Sequence, residues 1–143
     1  MTSFCLSKPQ SGFSLIEVLV TLIIVSLGLL GFAGMQVGSM QNNRIAMQRS
    51  LATLHAYNII DSMRANGLQA RASSYNQSYG ATAVAGSVSG DDLVAWNSAL
   101  SRDLTNGEGS ITVVGNLVTI KIHWKESVDV SNPYFEWSTQ TTL

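Results

Sequence analysis

The sequence contains little cysteine, little proline and few charged residues. Each of these absences argues against a class of structure or function. Cys5 is the only cysteine among 143 residues, so no disulfide within the chain supports the fold. The two prolines are Pro9 and Pro133, and no proline between them interrupts a helix. The eight Lys/Arg and nine Asp/Glu give a net charge of −1 without a basic stripe. That balance argues against nucleic-acid binding as the main task.

The sequence also lacks a constellation of catalytic or metal-binding residues. His55 and His123 have no second ligand at the spacing of a metal site. Asp91 and Asp92 are predicted to cap a helix rather than to form a calcium site or an acid/base pair. Serine and threonine are abundant, but no nucleophile elbow is present. We therefore predict no enzymatic activity, no metal, no cofactor and no small-molecule ligand.

The chain does contain one long apolar run, from Phe13 to Ala33, with Glu17 as its single charge. As a helix the run is about 31 Å long, enough to cross a bilayer core. It is longer than the apolar core of a removable secretory signal, and no clear Ala-x-Ala cleavage site follows it. Lys8 supplies a positive flank on the side predicted to be cytoplasmic. A carboxylate in a membrane helix costs about 2.5–3.5 kcal/mol at the helix centre and less near its end. Because of this cost, we expect Glu17 to have a functional role and a partner that binds its charge.

The helical pattern continues beyond the apolar run and predicts one helix over residues 13–66, about 80 Å long. After Gly38 the sequence becomes amphipathic, and the helix is predicted to stop near Asn66-Gly67. Four glycines lie inside the membrane half of this helix. They indicate either ordinary transmembrane composition or, alternatively, a helix–helix contact surface or a site of local melting. These are Gly28, Gly31, Gly34 and Gly38. The predicted apolar stripe of the second half contains Met40, Met47, Leu51 and Leu54, widened by Ile45, Ala52, Ala56, Ile59 and Met63.

The C-terminal half has the patterns of a loop, a short helix and a small antiparallel sheet. Residues 67–90 lack a period and predict a loop, in which Tyr75 and Tyr79 are candidate exposed adhesive contacts. A helix from Asp91 or Asp92 to about Leu104 follows. Its predicted buried face holds Leu93, Trp96, Leu100 and Leu104.

A hairpin comes next, because alternating apolar residues flank a two-residue turn, Gly115-Asn116. A last strand near 134–139 places Phe135 and Trp137 on one side. The predicted fold class is α+β, with the amphipathic half of the long helix covering the apolar face of the sheet.

The N-terminal residues carry a family resemblance. The run Gly12-Phe13-Ser14-Leu15-Ile16-Glu17 resembles the type IV prepilin motif, which has a glycine, an aromatic residue and a glutamate at the fifth mature position. The resemblance implies a type IV pilin fold, cleavage after Gly12 by a prepilin peptidase, and N-methylation of the new terminus, Phe13. It also implies that Glu17 meets the N-terminal amine of a neighbouring subunit and fixes axial register. The alternative for Glu17 is snorkelling to the headgroups.

A narrower resemblance is to the PilV group of minor pilins, the "type IV pilus modification" proteins. Residues 26–36, the helix end at 61–66 and the strand at 118–124 carry it. Many major pilins have a proline near Gly34 and a C-terminal disulfide loop, and this chain has neither. That departure favours a minor pilin.

The resemblance implies a division into a leader at 1–12, a transmembrane and assembly half of the helix at 13–38, an amphipathic half at 39–66 and a periplasmic region at 67–143. The implied function is a minor pilin that primes or modifies pilus assembly and thereby supports adhesion, twitching motility or DNA uptake. Its implied partners are the prepilin peptidase/N-methyltransferase, other minor pilins, the major pilin and the inner membrane, without direct nucleic-acid contact. The alternative is a pseudopilin of a type II secretion system.

Overall fold

Over residues 12–126 and 134–143, the fold combines three helices with one antiparallel sheet. A computed structural model describes residues 12–126 and 134–143. It confirms the α+β class, with a long N-terminal helix and a small sheet as in the pilin fold. The elements are α1 (Leu15–Ala65), α2 (Gly67–Arg71), α3 (Val88–Asp103), β1 (Glu108–Val114), β2 (Leu117–Trp124) and β3 (Phe135–Thr142).

The chain divides into two compact units, with the boundary between Gln41 and Asn42. In the first unit the large apolar side chains of α1 are exposed, as a helix suited to lipid or to other helices requires. The second unit has its own core, built from the remainder of α1, α3 and the inner face of the sheet.

The buried face of α1 differs from the predicted stripe. Met40, Met47 and Leu54 are 70%, 64% and 51% exposed. Ala52 is fully buried, and Leu54, two residues later, lies about 200° further round the helix. These three large residues were therefore assigned to the wrong side of the helix. The other part of the predicted stripe is confirmed, because Ala52, Ala56, Ile59 and Met63 are all buried. The buried residues of α1 are Gln48, Ala52, His55, Ala56, Ile59, Ile60 and Met63.

The three strands lie in the order β1-β2-β3, and both pairings are antiparallel. The predicted hairpin is confirmed, with Gly115 at φ +62°, where a two-residue hairpin turn requires positive φ. Alternation along β2 buries Val118, Ile120, Ile122 and Trp124 against the helices. Phe135 and Trp137 are partly buried against the same core.

The segment between α2 and α3 covers the free edge of β1. Gln77 and Ile111 exchange two backbone hydrogen bonds, of 3.0 and 2.9 Å. The Asn76 side-chain oxygen accepts a hydrogen bond of 2.8 Å from the Val113 amide. The sequence predicted an unstructured loop here, and periodicity missed this pairing because only two residues take part. These contacts occupy the middle of that edge and leave less of it open to another strand.

Helix α3 begins earlier than predicted. Ser87 is its N-cap, and the Ser87 hydroxyl accepts a hydrogen bond of 3.1 Å from the Gly90 amide. Asp91 instead accepts from the Gly86 amide at 3.0 Å, so it fastens the turn that precedes the cap. Asp92 accepts from the Tyr75 hydroxyl at 2.5 Å. The predicted inner face of α3 is confirmed at Leu93, Trp96, Leu100 and Leu104, all of which are buried.

Tyr75 is a core residue, and its prediction as an exposed adhesive contact is wrong. Its side chain is fully buried, and Asn66 donates a hydrogen bond of 3.2 Å to its hydroxyl. Burial, reinforced by the hydrogen bond to Asp92, raises the pKa of Tyr75 to about 12. Tyr75 therefore links the end of α1 to α3.

Replacing Tyr75 with phenylalanine is expected to remove an absorbance step near pH 12 from the tyrosine titration of the folded chain. The neutral phenol is favoured in the fold, so its stabilisation is full below pH 10 and is lost as pH rises to about 12. Tyr75→Phe should flatten that decline. It should also lower the free energy of unfolding at neutral pH by about 1–3 kcal/mol, because Asp92 loses its donor. A variant that instead loses a step near pH 10 would contradict the burial argument.

Gly109 allows the indole of Trp96 to pack directly on β1. A Cβ at Gly109 would overlap the Trp96 ring and lie 2.9 Å from Leu100 Cδ1. Gly109→Ala is therefore expected to lower the free energy of unfolding by about 1–3 kcal/mol, through overpacking of the core. Gly67→Ala is the matched control, since a Cβ at Gly67 meets nothing within 4 Å. Chemical denaturation of the detergent-solubilised chain measures both, and equal stability of the two variants would refute the packing argument.

Candidate processing and assembly site

The predicted cleavage bond lies in an exposed, non-helical segment. Residues 12–14 precede α1, and Phe13 is 83% exposed. The Ser14 carbonyl accepts hydrogen bonds from the amides of Glu17 and Val18, at 3.0 and 3.3 Å, and so begins the helix. A Cβ at Gly12 would meet nothing within 4 Å. Among the described residues, nothing therefore covers the bond between Gly12 and Phe13.

Glu17 lies in the first turn of α1, one turn after Phe13. The two side chains line one shallow groove, together with Thr21, Val18 and Leu22. The N-terminus of a helix carries partial positive charge and favours a carboxylate there. That effect reduces the free-energy cost of placing a carboxylate in the apolar run. Among the described residues, however, Glu17 forms no ion pair with an opposite charge.

The hydroxyl groups in the apolar half of α1 are satisfied within the helix. Thr21 donates to the Glu17 carbonyl at 2.7 Å, and Ser26 donates to the Leu22 carbonyl at 2.6 Å. A membrane helix requires such pairing, because lipid offers no partner. Among the described residues, α1 is the one helix long and apolar enough to cross a membrane.

The four glycines of the apolar half stand on the side of α1 that also bears Glu17. At about 100° per residue, they all fall within about 100° of Glu17 around the helix axis. A Cβ at any of them would meet nothing within 4 Å. Because glycines have no side chains, another helix could approach this side of α1 closely, and the Glu17 carboxylate lies near one end of it. The glycines are Gly28, Gly31, Gly34 and Gly38.

The two histidines lie in separate structural pairs. His55 Nε2 is 3.0 Å from Asp103 Oδ2, which ties α1 to the end of α3. Arg102, with a smaller contribution from His55, holds the pKa of Asp103 below its usual range. His123 Nε2 is 3.2 Å from Glu108 Oε2 on the neighbouring strand. Over residues 12–126 and 134–143 no group of three or more His, Cys, Asp or Glu side chains is placed to hold a metal ion.

Comparison with known proteins identifies a match at the N-terminal segment. The family model described as "Prokaryotic N-terminal methylation motif" matches residues 7–33. No curated protein and no solved structure matches the chain. The matched motif marks the chain as type IV pilin-like, either a pilin or a pseudopilin. It implies processing by a prepilin peptidase, membrane anchoring and assembly with other pilins, and the proteins that carry it are structural proteins rather than enzymes.

Proposed function

We propose that this chain is a minor type IV pilin of the PilV type, which primes or modifies pilus assembly. The prepilin is held in the inner membrane by residues 13–38, with the leader at 1–12 on the cytoplasmic side. Residues 39–66 and the region at 67–143 then lie in the periplasm. Cleavage after Gly12 and methylation of the new terminus precede its assembly with other minor pilins and the major pilin.

The observation that carries the assembly role in this proposal is the placement of Glu17. Its carboxylate shares a groove with Phe13, whose amine becomes the mature N-terminus after cleavage. A carboxylate among apolar helices is costly, and a neighbour's amine offsets that cost. In every subunit the Phe13 amine and the Glu17 carboxylate lie one helical turn apart. Two subunits can therefore pair only at the axial offset that places the amine of one beside the carboxylate of the other. The pair therefore sets register.

The unbroken course of α1 supports a minor pilin over a major one. The helix continues from Leu15 to Ala65, through the region of Gly34, where many major pilins have a proline. The sole cysteine, Cys5, lies in the leader, so the mature chain has no disulfide loop. Both features favour a small accessory subunit.

A pseudopilin of a type II secretion system is the alternative, because it carries the same N-terminal motif. Deletion of the gene in its native host separates the two functions. Loss of surface pili and twitching with normal protein export supports the minor pilin. Loss of export with normal pili supports the pseudopilin. Complementation with the intact gene is the control in both cases.

A further inference from the structure

A groove of about 200 Å³ runs between α1 and α3 on the surface of the second unit, and is named the α1/α3 groove. Every residue that lines it belongs to that unit. Sites for whole small molecules occupy about 300–1,000 Å³. The α1/α3 groove therefore has the size for one protein side chain rather than for a metabolite. The lining residues that matter here are Asn58, Ile59, Ser62, Asp92, Ala95 and Trp96.

The floor of the α1/α3 groove is held in place by a bond between its two helices. The Trp96 indole nitrogen donates a hydrogen bond of 3.0 Å to the His55 carbonyl. Trp96 and Ile59 are 4% and 2% exposed, so they form an apolar floor that is fixed in the core. The small side chain of Ala95, which is exposed, leaves the space above this floor open.

Asp92 places one carboxylate in the α1/α3 groove. Its Oδ2 accepts a hydrogen bond of 2.5 Å from the Tyr75 hydroxyl, which is a neutral donor. Within residues 12–126 and 134–143, Asp92 takes part in no ion pair. A half-buried carboxylate whose charge is not balanced favours a cation from outside the fold.

The surroundings of the groove strengthen this preference for a cation. The two stretches of helix that border it, residues 55–65 and 88–103, contain four Asp and two Arg. Both of these arginines are already paired with an aspartate of their own helix, at 3.4 and 2.9 Å. The potential at the groove is therefore negative, and a positively charged partner is attracted to it.

The lining of the groove suits a guanidinium better than an ammonium. Asn58 and Ser62, one turn apart on α1, line the groove together with the Asp92 carboxylate, so several oxygen acceptors border one apolar floor. A guanidinium is planar, weakly hydrated and carries five N–H donors, whereas an ammonium is compact and strongly hydrated. Arginine is also enriched in the cores of protein interfaces.

We propose that the α1/α3 groove binds an arginine side chain presented by a neighbouring subunit. The identity of the partner as a subunit rests on the proposed role in assembly. The binding of a guanidinium by the groove does not, because it depends only on residues of the second unit. The two parts of the inference are therefore tested separately.

The first test titrates the full processed chain, labelled with fluorotryptophan and held in phosphatidylcholine nanodiscs, with N-acetylarginine methylamide. Fluorine NMR distinguishes Trp96, which lines the groove, from Trp124, which is fully buried and does not. We expect a saturable shift of the Trp96 signal and no shift of the Trp124 signal. The citrulline analogue, in which a neutral urea replaces the guanidinium, should bind at least about tenfold more weakly.

Asp92→Asn is expected to weaken binding of the arginine probe at least about tenfold, because it removes the charge but keeps an acceptor for Tyr75. Asp91→Asn is the matched control. Asp91 is the preceding residue of α3, is exposed, does not line the groove and accepts a hydrogen bond from the Gly86 amide. The two variants have the same net charge, so a difference between them reports the position of the carboxylate. Asp91→Asn should bind the probe like the wild type.

A second pair of variants tests the shape of the groove rather than its charge. Ala95→Leu fills the groove from an exposed position and is expected to abolish the response to the probe without lowering the free energy of unfolding. Ser98→Leu adds a large side chain at another exposed position of α3 that does not line the groove. It should leave the response unchanged.

The second test measures the content of the same variants in pili sheared from the native host. We expect Asp92→Asn and Ala95→Leu to be depleted and Asp91→Asn to be incorporated normally. Normal incorporation of both groove variants, together with saturable binding of the probe, would overturn the assignment of the partner as a subunit. Failure of the assembly role itself is a different result, since the wild-type chain would then be absent from pili.

Four outcomes of the titration overturn the site. They are the absence of a saturable Trp96 shift, equal binding of the arginine and citrulline probes, equal weakening by the two Asn variants, and an undiminished response of Ala95→Leu. Tighter binding of N-acetyllysine methylamide than of the arginine probe would overturn the choice of a guanidinium.

Discussion

Replacing Gly12 with leucine is expected to leave the leader attached to essentially every molecule of the protein. The bond after Gly12 must enter the active site of a membrane peptidase, where a bulky side chain replaces a hydrogen. The described part of the chain supplies no other reason for failure, since residues 12–14 are non-helical and a Cβ at Gly12 would meet nothing within 4 Å. Immunoblotting of membranes from cells with the peptidase measures the ratio of precursor to mature chain.

Gly28→Leu is the matched control for the cleavage prediction. A Cβ at Gly28 would also meet nothing within 4 Å, but Gly28 lies inside α1, beyond the cleavage bond. We expect Gly28→Leu to be processed like the wild type. Normal removal of the leader from Gly12→Leu would refute the leader assignment, and with it the identity of Phe13 as the mature terminus.

Replacing Glu17 with alanine is expected to leave membrane insertion intact and to reduce incorporation into filaments at least tenfold. Insertion becomes easier because the single charge of the apolar run is removed. Incorporation falls because the amine of a neighbouring subunit is left without its partner, and breaking a buried pair costs about 3–5 kcal/mol. A loss of about 1.4 kcal/mol is already tenfold. Membrane fractionation and the content of the subunit in sheared pili measure the two effects separately.

Two variants separate the charge of Glu17 from its shape. Glu17→Gln keeps the size and removes the charge, so it should behave like Glu17→Ala. Thr21→Ala changes the same groove one turn later and removes only a hydroxyl that is bonded within the helix. It should incorporate normally. Normal incorporation of Glu17→Gln would show that register does not depend on the charge.

Long periodic patterns were predictable from the sequence. The apolar run and the absence of proline predicted a helix over 13–66, and α1 occupies Leu15–Ala65. Alternation around Gly115 predicted the hairpin, because strict period two with a two-residue turn has few other solutions. The inner face of α3 was equally clear. In each case many residues repeat the same signal.

Features that depend on a single tertiary contact were not predictable. The burial of Tyr75 depends on Asp92 and Asn66, which periodicity cannot bring together. The start of α3 at Ser87 was missed because two aspartates nearby also suit an N-cap. The exposure of Met47 and Leu54 shows the same limit, since the buried face of α1 passes through Ala52 and Ala56 on another side of the helix.

The residues of the candidate site were predictable almost entirely from a short segment of the sequence. Gly12, Phe13 and Glu17 are near neighbours in the chain, and the start of α1 places the last two in one groove.

The most direct test of the account is mass spectrometry of the N-terminal peptide of the protein, recovered from membranes of cells that contain the peptidase. We expect a chain that begins at Phe13 and carries one added methyl group on its amine. A chain that still begins at Met1, or one cut at any bond other than that between Gly12 and Phe13, would contradict it.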